Sequence, residues 1–172
     1  MLPKKIYIRY FVIVACLFGF TITSFAQVYS YAEIAAVMLD DTNAIEKTSD
    51  LSFGNIIPSK TGEGQVKIGN NGSVSYNQCK APELNQGTIS AASFLICGAS
   101  NSHFSPQISS PVTLSNGSGG TMTVDSFTPS TYWGTIGQDG TYILTVGATL
   151  KVNAKQAAGD YTGQVTVTAS FN

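Results

Sequence analysis

From Gly159 to the end of the chain, apolar and hydroxyl-bearing residues alternate almost without a break. Tyr161, Gly163, Val165, Val167, Ala169 and Phe171 share one parity, and Thr162, Gln164, Thr166, Thr168 and Ser170 share the other. Successive side chains of a strand point to opposite faces, so a period of two with the residue types sorted by parity specifies a half-buried β-strand. The pattern runs to Phe171 and Asn172. The expectation is a last strand tied into the core, on a sheet edge that another chain could extend by backbone pairing.

The first 26 residues read differently. Lys4, Lys5 and Arg9 precede an uncharged apolar run from Tyr10 to Phe20, and Ser24-Phe25-Ala26 has the small-x-small form of a cleavage site ahead of Gln27. The run is short beside the ~20 residues a membrane-spanning helix needs, so residues 1–26 are expected to be a cleaved secretory signal. Ile13-Val14-Ala15-Cys16 also has the shape of a lipoprotein box. Against lipidation, the apolar stretch continues past Cys16 to Ala26, whereas a lipidated cysteine would open the mature chain. Residues 27–172 are expected to form a single domain without a transmembrane segment, exported through an inner membrane to the periplasm, the cell surface or beyond.

Within residues 27–172, six lysines stand against ten carboxylates, and no arginine remains. A net charge of −4 with scattered lysines offers no phosphate-neutralising patch, which argues against nucleic acid as a partner. Two cysteines remain, Cys79 and Cys97. In an exported protein the simplest reading is one disulfide between them, closing a loop of about 18 residues for roughly 3 kcal/mol in the chain-entropy picture. A redox or metal pair is the rival reading, but there is no C-x-x-C spacing, and His103 is the single histidine.

The rest is a series of short apolar runs separated by Gly, Ser, Thr and Asn, the pattern of a sandwich or barrel. Leu51–Gly54, Gln65–Ile68, Val74–Tyr76, Phe94–Cys97, Val112–Leu114, Met122–Phe127 and Tyr142–Val152 read as strands. Gly69-Asn70-Asn71-Gly72 and the stretch from Asn116 to Gly120 read as turns, since Asn and Gly tolerate positive φ. Gly147, inside the longest run, marks a bulge or a close backbone approach. Val28–Leu39 has good helix formers, but the β-rich remainder favours a strand. The fold expected is an all-β, immunoglobulin-like sandwich of about eight strands.

Leu51–Ile56, Thr121–Val124, Val146–Leu150 and Gly159–Phe171 resemble segments of a family of exported bacterial proteins known as domain of unknown function 4402. The C-terminal strand is also similar to that of spore-coat-U-like and chaperone–usher fimbrial subunits. In those, a glycine stands fourteen residues from the end and a penultimate aromatic closes the alternation, as Gly159 and Phe171 do here. That second resemblance implies a subunit that assembles by strand addition.

No catalytic constellation stands out. His103 lies in a polar stretch, Ser100-Asn101-Ser102-His103-Phe104, that reads as a loop, and no G-x-S-x-G elbow is present. The carboxylates Glu63, Glu83, Asp125, Asp139 and Asp160 are isolated, and Gln138-Asp139-Gly140 is accounted for by turn chemistry rather than by a metal loop. No catalytic, metal or cofactor site is therefore expected.

The function expected is a non-enzymatic exported structural or adhesive subunit, its partners other copies or related subunits. Tyr161, Val165, Val167 and Phe171 would form the acceptor face, and Ile34, Ala36 and Met38 the donor contacts. In the competing reading, Val28–Leu39 is the domain's own first strand. The alternative function is a stand-alone secreted module binding a ligand, a glycan for instance, at Tyr132 and Trp133. The plainer expectation for Trp133 is that it fills or covers the core.

Overall fold

A computed structural model describes residues 32–36, 43–84 and 86–172. The described residues are all-β, and no helix among them is long and apolar enough to cross a membrane. One sheet runs in the order β1 (Ala32–Ala36), β13 (Gly163–Phe171), β8 (His103–Ile108), β11 (Gly134–Thr135). The second runs β2 (Ala44–Ser49), β7 (Ala92–Cys97), β12 (Thr141–Val152), β10 (Thr121–Pro129), β9 (Val112–Ser115). A hairpin of β4 (Gly64–Ile68) and β5 (Val74–Asn77) joins the second sheet through β12, while β3 (Ser52–Phe53) and β6 (Ile89–Ser90) form a small pair of their own.

The alternations read from sequence are the faces found. Val165, Val167 and Ala169 of β13 and Leu144, Val146, Ala148, Leu150 and Val152 of β12 are buried in one core with Phe94, Ile96 and Phe104. Each Val, Leu, Ile or Phe side chain among them contributes on the order of 1.5–3 kcal/mol by leaving water. The core therefore draws on both large sheets. Their link is a segment that changes sheet. β8 pairs with β13 from Phe104–Phe171 to Ile108–Val167, and past Pro111 the same segment continues as β9, which meets β13 again at Ser115–Thr162 and pairs with β10 on its other side.

Gly147 marks a junction. β7 and β4 lie end to end along one flank of β12, covering Thr141–Val146 and Ala148–Val152, and Gly147 falls between them. A Cβ there would lie 2.2 Å from the carbonyl oxygen of Ile68, so this is the close backbone approach anticipated. The predicted hairpin at Gly69–Gly72 is present: Gly72 N–H donates to Gly69 O at 2.9 Å, and Gly72 has φ 78°.

Three expectations need correction: the disulfide, the loop at Ser100–Phe104 and the number of strands. Cys79 and Cys97 are free thiols. Cys97 stands opposite Thr141 at the first residue of β12, whereas Cys79 lies against Gly64, which pairs with Val152 at the last. Eleven strand steps separate those ends by roughly 36 Å, far beyond the ~7 Å at which two Cα atoms can be bridged. The second correction concerns Ser100–Phe104: a turn occupies its start, but His103 opens β8. The third is the count: the described residues form thirteen strands where about eight were expected, and β2, β6 and β11 are among those not anticipated. Of Val28–Leu39, the described part, Ala32–Ala36, is the strand favoured over a helix.

Candidate functional site

Two places carry the residues singled out from sequence. The first is the flank of β13 turned away from β8. β1 lies there in a parallel ladder, with Ala32 opposite Gly163, Ile34 opposite Val165 and Ala36 opposite Val167. The proposed donor positions Ile34 and Ala36 thus stand beside the proposed acceptors Val165 and Val167, within one chain. Met38 lies outside the described residues. Val165 and Val167 are buried and Phe171 is half-buried against Phe104, ring centroids 6.3 Å apart. Tyr161 is buried just ahead of β13 and is anchored rather than presented. Its hydroxyl donates to Ala157 O at 2.8 Å and accepts from Gln156 Nε2 at 2.8 Å. Behind this flank a cavity of ≈ 20 Å³, lined by Leu51, Phe53, Leu114, Phe127 and Val165 among others, has room for about one water molecule.

The second place is the outer face of the β8–β11 pair. Tyr132 and Trp133 are 70% and 56% exposed, so Trp133 neither fills nor seals the core. The reason lies next door. Gly134 faces inward opposite Phe104, and a Cβ on it would lie 2.3 Å from the Phe104 ring. With Gly134 inward, strand alternation turns Trp133 and Thr135 outward. Thr131 holds the turn by accepting the Trp133 N–H at 3.1 Å and donating its hydroxyl to Trp133 O at 2.7 Å.

His103, opposite Thr135 in the ladder, completes the arrangement. Its Nδ1 is 3.0 Å from Thr135 Oγ1, and its ring lies 5.8 Å from that of Trp133, inclined at 34°. Sequence reading missed this role because 30 positions separate His103 from Trp133. Only the pairing of β8 with β11 brings them together. The nearby serines are engaged elsewhere, Ser102 Oγ donating to Ala99 O at 2.7 Å and Ser100 Oγ to Gln138 O at 3.0 Å. Asp139 accepts from both the backbone and the hydroxyl of Thr141, at 3.1 and 2.8 Å, and these bonds hold its carboxyl below the ordinary carboxylate range. Among the described residues no three His, Cys, Asp or Glu side chains gather as metal ligands.

Against this geometry, one family matches, described as Domain of unknown function (DUF4402), over residues 44–171. No curated protein and no solved structure matches the chain. The matched span begins at the first residue of β2 and includes β13, but not β1.

Proposed function

The chain belongs to the DUF4402 family, and from that premise we propose that it is a non-enzymatic, exported structural or adhesive subunit, fimbrial-like, that assembles by β-strand addition. The observation that carries the proposal is the parallel ladder of β1 on β13. Without β1, the backbone groups of Gly163–Val167 on that flank would lack strand partners, and unpaired edge groups recruit any strand that fits. The same five-residue register can be met by the equivalent segment of another copy, since exchange of an identical element between chains costs little. That β1 lies outside the family-matched span supports its treatment as an appended, transferable strand.

In this reading the fold is an immunoglobulin-like sandwich. Tyr161 has the bonding of a corner tyrosine, its hydroxyl reaching back to a carbonyl four residues upstream, although in immunoglobulin-like sandwiches that device stands at the penultimate strand and here it precedes the last. The similarity of the Gly159–Phe171 segment to fimbrial C-terminal strands belongs to the same proposal. So does export: residues 1–26 would be removed at the inner membrane, leaving the subunit in the periplasm, on the cell surface or outside the cell.

Light scattering after size-exclusion chromatography tests it on chain 27–172. The expected result is a set of stable oligomers that collapses when residues 27–42 are deleted. A monomer whose mass is unchanged across concentration, and which unfolds in one cooperative step, would count decisively against assembly by strand exchange.

A further inference from the structure

The outward positions of β8 and β13 form a surface distinct from the strand-exchange flank. β8 buries Phe104 and Pro106 and turns out His103, Ser105 and Gln107. β13 buries Val165, Val167 and Ala169 and turns out Thr166, Thr168 and Ser170. The register sets Ser105 beside Ser170 and Gln107 beside Thr168. The result is a strip of hydroxyl and amide groups that, counted from His103 to Thr166, is about 20 Å long at strand rise, with the Trp133–His103 pair at one end. β8, β11 and β13 contain no Asp, Glu, Lys or Arg.

We infer that this face binds a neutral polysaccharide, one sugar ring stacking on Trp133 and the following units lying along the hydroxyl and amide strip. The chemistry selects the ligand class. A pyranose presents a C–H face that an exposed indole covers, and a hydroxyl rim that Ser, Thr and Gln side chains match by donating and accepting at once. An anionic polymer would need cations that these strands lack. A protein partner would be expected to close over a central cluster of aromatic, Met and Arg side chains, whereas here the aromatics give way directly to hydroxyls. The Trp133 platform is preorganised, since Thr131 ties the backbone on which the indole stands and Thr135 holds the His103 ring. Preorganisation limits the ordering cost that weakens flexible sites.

Trp133 is the single tryptophan, so its fluorescence reports on this surface directly. Chain 27–172 would be titrated with neutral oligosaccharides of two to six units derived from cellulose, xylan, chitin and starch, with polygalacturonate as the anionic control. The inference expects a saturable change with at least one neutral series, tightening with chain length. Calorimetry with Trp133→Ala should show affinity about tenfold lower or worse, from the lost stacking area. Thr168→Lys, at a half-buried, outward-facing position in mid-strip, should weaken only the longer oligomers. Absence of saturable binding across all four neutral series, with the fold intact by circular dichroism, would overturn the inference. Binding that survives Trp133→Ala, or binding confined to polygalacturonate, would overturn it equally. The result is independent of assembly state: a monomer that binds glycan sinks strand exchange and leaves this surface standing.

Discussion

A methyl group at Gly147 would collide with backbone, not with a side chain that could swing aside. Its nearest neighbours would be Ile68 O at 2.2 Å, the Gly69 carbonyl carbon at 2.6 Å and Asn70 N at 2.7 Å. Relief requires the β4–β5 turn to move off β12, so Gly147→Ala is expected to cost about 1–3 kcal/mol, in the range of overpacked cores. Urea unfolding would read this as a lower midpoint at unchanged slope. A second residue-scale effect is electrostatic. Lys151 donates to the Asp125 carboxylate, and this bond, with a smaller one from Ser126, holds the Asp125 carboxyl below the ordinary range, while Asp125 in turn raises Lys151. The folded-state value of the carboxyl lies below its unfolded value, so its stabilisation is fully present above the ordinary carboxylate range. It is lost as pH falls through the depressed value. The pair is partly solvated and the gain is small. Melting temperature measured from neutral to strongly acid pH should therefore fall less steeply for Asp125→Asn than for the natural chain, and parallel curves would remove the pair from the account of acid stability.

At the scale of elements, legibility followed periodicity. The alternating runs of β12 and β13 announced both strand type and buried face, because half-buried strands leave a parity signature in the residues themselves. β8 carries no such mark, for it contains Pro106 and begins among serines. The ladder explains its tolerance: hydrogen-bonded pairs fall at His103–Asn172 and Ser109–Thr166, which puts the bonding N–H groups of β8 at odd positions. The N–H that Pro106 lacks would point away from β13, beyond the two residues covered by β11, where proline is accepted. The aromatic platform was half legible. Tyr132 and Trp133 are adjacent in sequence, whereas the His103 contact depends on strand pairing, and the outward turn of Trp133 depends on Gly134 fitting over Phe104. Disulfide reasoning failed because cysteine count and spacing along the chain say nothing of separation along a sheet. Folded chain 27–172 should titrate two thiols with a small aromatic disulfide and show the mass of a reduced protein. Cys79 should alkylate slowly at neutral pH, since burial pushes its thiol up and so depletes the reactive thiolate. A chain two hydrogens lighter, with no free thiol, would contradict the sheet register itself.

For the molecule as a whole, the question is whether β1 is owned or lent. Parallel pairing is somewhat weaker per residue than antiparallel, and the ladder spans five residues at an edge, so β1 is held chiefly by one strand of the body it completes. A chain beginning at Asn43 would expose the backbone of Gly163–Val167 together with the apolar ground behind Val165, and it should melt lower and associate nonspecifically. Supplying residues 27–42 as a peptide separates the two possibilities. If the strand is transferable, the peptide stabilises the truncated chain by mass action, by about 2.7 kcal/mol at a hundred times its dissociation constant, with a midpoint that climbs with peptide concentration. Substitution Ile34→Pro in the peptide, at the centre of the register opposite Val165, should abolish the rescue, because proline removes a backbone N–H from the ladder. A truncated chain indifferent to the natural peptide, beside a full-length chain that stays monomeric, would make β1 an ordinary first strand and leave the molecule a self-contained module. Rescue by the natural peptide alone would instead make the β13 flank an acceptor that a neighbouring subunit can fill.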